Sequence, residues 1–388
     1  MGCQFDQFID RRNTQSQKWD GVLEMFGEEN LIPMWIADMD FRPPQEVVEA
    51  VTKRAAHGIY GYVCRPKDYV DVIRKWLRER HGWEIEPEWL THSPGVVPGL
   101  ALAIWSLTEP GDKIVIQPPV YPPFARVITI NDREKVENPL IFKDGRFTMD
   151  FEDLEKHFQA GAKVLMLCSP HNPVGRVWDE GELKQLQDLV VKYDVTVLSD
   201  EIWADLVLPG FRHRPVASIS EEMSQRTLTF MAPSKTFNIA GLYISNIIIP
   251  NAELREKFCG QLQRLNLTHI NLFGMVASDA AYRCGADWLD QLLDYLTDNV
   301  EYVCQELPRI TDKIKVVRSE GTYVLWLDCR GLGLPAEELN QFFIDEAGIV
   351  FNDGLAFGES GRGYQRMNIG CPRSIIKEAL TRLAKALK

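Results

Sequence analysis

The chain has 388 residues, 45% of them hydrophobic and 25% charged, which at ~100–200 residues per domain gives two or three domains with a sizeable core and excludes collagen-like, coiled-coil and largely disordered chains. Its 43 Lys and Arg against 55 Asp and Glu leave a net charge of −12. That balance speaks against nucleic acid and anionic membrane surfaces, both of which demand a positive footprint, and in favour of a small-molecule partner.

The N-terminus, Met1-Gly2-Cys3-Gln4-Phe5-Asp6, has no basic stretch followed by an apolar one. No apolar run reaches the ~18 residues of a membrane span. A cytoplasmic protein is expected. Residues up to about 45 are rich in Asp, Asn and Pro without clean periodicity, and are expected to wrap a smaller domain or a neighbouring subunit. Next, Ser93-Pro94-Gly95-Val96-Val97-Pro98-Gly99-Leu100 leads into a helical run ending at Leu107. Its backbone N–H groups suit an anion at a helix N-terminus, although a Gly/Pro turn before a core helix has the same look.

From about 91 to 250, short β-branched runs alternate with amphipathic stretches. Residues 113–117, 164–168, 195–199, 227–230 and 246–249 read as buried strands, and Leu183, Leu186, Leu189 and Val190 follow helical spacing within 180–191. This alternation predicts an open, mostly parallel sheet covered by helices on both faces. From 286 the texture changes to a long amphipathic helix (Trp288, Leu289, Leu292, Leu293, Leu296), a strand at 323–327 and a basic helix from Ile375 to Leu387. These predict a smaller α+β domain. The expected division is an N-terminal arm and part of the small domain at 1–45, a large domain at 46–285 and a small C-terminal domain at 286–388. Cys3, Cys64, Cys168, Cys259, Cys284, Cys304, Cys329 and Cys371 form no C-x-x-C pair, and the seven histidines show no ligand spacing. Scattered reduced thiols and no catalytic metal are expected.

In open α/β sheets, ligands sit beyond the carboxyl ends of the strands. Three such ends carry chemistry: Ser169-Pro170-His171-Asn172-Pro173-Val174-Gly175, Asp200-Glu201-Ile202-Trp203, and Ala232-Pro233-Ser234-Lys235-Thr236-Phe237-Asn238. Taken singly, each suits a turn or a solvated loop. Converging together, an amide, a carboxylate and an amine suit pyridoxal phosphate. Lys235 would form the Schiff base, Asp200 would face the pyridine nitrogen and Asn172 the ring phenolic oxygen. Tyr121, after Gln117-Pro118-Pro119-Val120, reads as a ring-stacking aromatic or as a buried one.

The order S-P-x-N-P-x-G, S-D-E, S-K-T-F-N resembles the class I/II aminotransferase-related enzymes of fold-type I. Trp35-Ile36-Ala37-Asp38-Met39-Asp40-Phe41, Gly58-Ile59-Tyr60-Gly61-Tyr62, and the stretch from Gly358-Glu359 to Arg366-Met367-Asn368-Ile369-Gly370-Cys371-Pro372-Arg373 resemble the bacterial MalY/PatB cystathionine β-lyases, or C–S lyases. The resemblance spans nearly the whole chain. It implies an α/β, fold-type I PLP-dependent transferase-like fold, with pyridoxal 5′-phosphate as cofactor.

It also implies roles residue by residue. Lys235, Asp200 and Tyr121 would be catalytic. Gly95, Val96, Val97 and Ser234 would lie at the phosphate, with Trp203 and Asn172 also on the cofactor. Tyr62 would reach the phosphate of a second subunit in a homodimer. Arg366 would grip the substrate α-carboxylate, for which a planar fork gives bidentate geometry, with Ile36, Ala37 and Asn172 beside it.

Two departures are visible. Trp203 stands three residues after Asp200 where many transaminases have tyrosine, and Tyr243 stands eight beyond Lys235 where many have a phosphate-binding arginine. The activity expected is β-elimination from L-cystathionine or related L-cysteine S-conjugates, giving a thiol, pyruvate and ammonia. The alternative is an aminotransferase, and a remote one is a non-catalytic ligand-sensing or partner-binding protein on the same scaffold.

Overall fold

The structure, a computed structural model, describes residues 4–28 and 30–388. The expectations about Met1, Gly2 and Cys3 lie outside the described residues. A seven-stranded sheet is built from β1 (Leu90–Ser93), β2 (Lys113–Ile116), β3 (Glu134–Glu137), β4 (Val164–Cys168), β5 (Thr196–Asp200), β6 (Thr227–Met231) and β7 (Ser245–Ile248), in the spatial order β1-β7-β6-β5-β4-β2-β3. All are parallel except β7, which pairs antiparallel with both β6 and β1. The exception has a physical cause. Residues 232–244 hold only the short turns Pro233–Thr236 and Ala240–Leu242, too little to carry the chain back across the sheet, so it returns in the opposite sense.

Successive strand residues face opposite layers, and the core divides accordingly. Ile114, Ile116, Val164, Met166, Leu198, Leu228 and Phe230 pack with Leu100, Ala103 and Ile104 of the helix Val96–Leu107. Val115, Leu165, Leu167 and Val197 pack on the other face with Leu154 of Phe151–Gln159 and with Leu183, Leu186 and Val190 of Glu180–Tyr193. The last of these helices starts at a capping box in which Asp179 and Glu182 exchange side-chain bonds with each other's backbone N–H.

A second sheet has the order β8-β9-β11-β10, from β8 (Lys315–Val317), β9 (Val324–Asp328), β10 (Asn352–Asp353) and β11 (Tyr364–Asn368), all antiparallel. The long helix Ala286–Ile310 buries Trp288, Leu289, Leu292, Leu296, Val300, Val303 and Leu307 against it, a stripe at helical spacing. The N-terminal segment lies along this part of the molecule. Phe5 is enclosed by Phe41, Trp288 and Tyr295, and Ile32–Pro33 pairs in parallel with Ile349–Val350. No described helix is long and apolar enough to cross a membrane.

Candidate active site

The parallel strands deliver their carboxyl ends to one edge of the large sheet. Cys168 at the end of β4 is in register with Asp200 at the end of β5, and Asp200 with Phe230 near the end of β6. The turns leaving these ends therefore bring Asn172, Asp200 and Lys235 to one place. Lys235 rides on the turn Pro233–Thr236, with Ser234 buried beside it, and its Nζ donates to the carbonyl of Ala37 at 2.5 Å. The amine also stands over the ring of Trp203, 5.7 Å from its centroid. Burial pushes the amine down to about 8, although the charges of Asp38 and Asp200 pull it upward.

Asp200 is 3% exposed, and burial pushes its carboxyl up to about 7 against the backbone N–H of Ile202, which donates to Oδ1 at 3.1 Å, and against the Lys235 charge. No ion pair within 4.0 Å engages it among the described residues. Tyr121 lies close enough to Asp200 and Arg366 for their charges to act on its hydroxyl, which burial shifts upward.

Arg366 comes from β11 in the other sheet. It donates from Nη1 to Asn172 Oδ1 at 3.1 Å and from Nη2 to the Trp35 carbonyl at 2.7 Å and to Asn352 Oδ1, while its guanidinium lies over Phe357. Burial pulls it down to about 10, so it remains a cation at neutral pH. Its Nε–H is buried without a partner.

Segment 35–41 is fastened over this site by its own backbone. Asn368 Nδ2 donates to the carbonyls of Ile36 (2.6 Å) and Asp38 (2.7 Å), Asn238 bonds both ways with Met39, and Tyr323 Oη donates to Ala37 at 2.9 Å. Arg11 and Lys18 pair with Asp40 from the N-terminal arm, each at 2.8 Å or closer. Arg366 thus bonds directly to Asn172 and Trp35, and Lys235 to Ala37, although the partners are up to 331 positions apart in sequence.

Gly95, Val96 and Val97 sit at the start of the helix Val96–Leu107, immediately after β1. Gly95 has φ +125°, a conformation that side chains rarely adopt, and a Cβ on Gly99 would lie 2.6 Å from Ser93 Oγ. Both glycines let the first turn open its N–H groups at the sheet edge while the helix packs tightly on it.

Tyr62 stands apart. It is 96% exposed and packs on the ring of His269 at 5.6 Å. Trp203 is buried with its ring edge-on to Tyr323 at 4.7 Å, and Tyr243 is 65% exposed in a left-handed conformation. Sequence reasoning passed over Tyr323, Asn352 and Phe357. Tyr323 only opened an apolar strand run, and nothing local marked the other two.

Residues 29–383 match the family described as aminotransferase class I and II, and the chain belongs to that family. It is 42% identical over 388 residues to cystathionine beta-lyase PatB of Bacillus subtilis (strain 168), with 99% of each chain covered. It is 32% identical over 387 residues to Protein MalY of Escherichia coli (strain K12), covering 99% of this chain and 98% of that one. Among solved structures it superimposes on cystalysin from Treponema denticola, described as containing a pyridoxal 5′-phosphate cofactor, with a TM-score of 0.97, 38% identity and coverage of 100% of this chain and 99% of that one.

Proposed function

We propose that the chain is a pyridoxal 5′-phosphate-dependent carbon–sulfur β-lyase that cleaves L-cystathionine or related L-cysteine S-conjugates to a thiol, pyruvate and ammonia. The observation that carries this reading is a half-buried lysine amine held by the Ala37 carbonyl and lowered in basicity, converging with an unpaired buried carboxyl and a buried guanidinium that keeps one N–H free. The relatives named as cystathionine β-lyases support the choice of leaving group.

The residues fit the cofactor on chemical grounds. A buried carboxyl held up to about 7 without a cation partner is complementary to a protonated ring nitrogen. The open helix start at Gly95, Val96 and Val97, next to Ser234, suits a phosphate, and Asn172 and Tyr121 suit the ring. Bound there, pyridoxal phosphate supplies a carbonyl that condenses with amines and a ring that accepts an electron pair.

The chain's own residues do the rest. Arg366 binds the substrate α-carboxylate and, with Asn172, orients the Cα–H bond toward Lys235. Lys235 Nζ, half neutral at about pH 8 because burial disfavours its cation, takes the Cα proton and afterwards delivers it to the departing sulfur. Asp200 holds a proton on the ring nitrogen. Trp203 and the 35–41 segment cover the amine and keep water from competing for it.

The test is incubation of the cofactor-loaded protein with L-cystathionine in the absence of any keto acid. Equal release of pyruvate and free thiol is expected. Release of neither, with amino-group exchange once a keto acid is added, would replace the reading by the aminotransferase one.

We also propose that the enzyme is a cytoplasmic homodimer. Seven described cysteines are all free thiols, as in a reducing compartment. Ile59, Tyr60 and Tyr62 are 67%, 59% and 96% exposed, an apolar patch suited to a second copy, in which Tyr62 would reach the neighbouring phosphate. Light scattering is expected to give twice the chain mass, and a fully active monomer would refute it.

A further inference from the structure

The lysine-bearing turn is too short to hold itself. Pro233–Thr236 is a single helical turn, and isolated turns are unstable without tertiary anchors. One anchor lies immediately beside the lysine. Thr236 Oγ1 donates to Asp205 Oδ2 at 2.8 Å. The other oxygen of Asp205 accepts from Trp76 Nε1 at 3.0 Å and is bonded to His81 Nε2 at 2.8 Å, both from the helix Tyr69–His81. Burial pushes the Asp205 carboxyl up, but the bonds from His81, Thr236 and Trp76 prevail and hold it below the usual range.

A matching arrangement secures the other strand end. Glu201, the neighbour of Asp200, accepts from Ser199 Oγ at 2.8 Å and Val216 N at 3.0 Å, and is bonded to His213 Nε2 at 2.8 Å. The two imidazoles meet edge to face, 5.8 Å apart. Glu201 and Asp205 both line a cavity of about 10 Å³, room for one water at most, and their oxygens are taken up by protein partners.

Thr236 directly follows Lys235, so its bond to Asp205 acts on the lysine through the backbone of the turn. We propose that Asp205, backed by His81 and Trp76, is a positioning residue for Lys235, its bond to Thr236 fixing where the amine stands relative to Ala37 and Asp200. The proposal rests on Lys235 being the working base of the lyase described above.

Thr236→Val removes the hydroxyl and keeps the shape, whereas Thr236→Ser keeps the hydroxyl. In the holoenzyme, Thr236→Val is expected to lower kcat on the order of tenfold to a hundredfold with KM within about threefold, because misplacement costs rate rather than binding. The pH midpoint of the cofactor absorption band that depends on Lys235 is expected to move by at least ~0.5 unit, since the surroundings of the amine set it. Thr236→Ser should return both to within about twofold of the parent. A valine variant with parental kcat and midpoint, or a serine variant as impaired as valine, overturns the proposal.

If circular dichroism shows the valine variant unfolded, His81→Phe gives the same reading one step further out. It should show a smaller kcat loss with a midpoint shift, and parental values for both overturn the proposal. Failure of the lyase reading looks different: the parent holoenzyme itself then releases no pyruvate, while the Lys235-dependent band is still present and still reports whether Thr236→Val displaces the amine.

Discussion

Replacing Lys235 with alanine is expected to abolish pyruvate release from L-cystathionine, a loss on the order of 10⁴-fold or more, because in the proposed mechanism it would remove both the attachment point for the cofactor and the base. Lys235→Arg should be almost as inactive. It restores a cation at the same place, but guanidinium keeps its proton at every accessible pH. The pair of variants thus separates charge from proton transfer. The native amine suits the second role because burial brings it down to about 8. The parent's rate should accordingly rise with pH toward that value and level above it, a limb absent from both variants. The measurement is single-turnover pyruvate formation across pH 6–9, with circular dichroism to confirm folding. A lyase rate retained by Lys235→Ala would sink the assignment.

The edge of the sheet that carries Asn172, Asp200 and Lys235 was legible because strand runs and strand-end turns are local signals. Asp200 falls at the last position of β5 rather than just after it, a shift of one residue that leaves its direction toward the sheet edge intact. The reversal of β7 was not legible, since its apolar run is the same in either direction and only the connection decides. The fastening of the site was hidden too. Arg366 meets Asn172 and the Trp35 carbonyl, and Lys235 meets the Ala37 carbonyl, each across about 200 or more positions. Backbone carbonyls leave no trace in side-chain pattern, and the 35–41 segment stood out only by resemblance. The His81–Asp205 and His213–Glu201 pairs escaped for a related reason. Their members lie 124 and 12 positions apart and match no ligand spacing, so only the packed structure joins them. Tyr62 is the reverse case: it was singled out at the start, and in one chain it faces outward, away from the other residues named for the site.

Asp200→Asn should show opposite effects in two assays. With cofactor supplied, turnover is expected to fall by at least ~10³-fold, because an amide would remove the charge proposed to keep the ring nitrogen protonated, and pre-organised electrostatics are large catalytic terms. Without cofactor, the same variant is expected to be more stable than the parent at pH 8. The sign follows from the carboxyl's shift from 3.8 to about 7 on burial. Between those values the folded chain holds a proton that the unfolded chain has released, so stability falls as pH rises through the window and stays low above it. A rise from 3.8 to about 7 corresponds to about 4 kcal/mol as an upper bound, so a gain of about 1–3 kcal/mol for the amide at pH 8 is expected, shrinking toward zero at pH 4. Thermal melts of the cofactor-free proteins at pH 4.5, 6 and 8 measure it. Equal melting shifts at all three values would mean that the carboxyl is not strained by burial and that the site does not await a cation. If the two assays do move in opposite directions, the acid is a group the folded chain tolerates at a cost in order to meet a positive charge. That is the physical signature separating a cofactor-facing aspartate from a merely structural one.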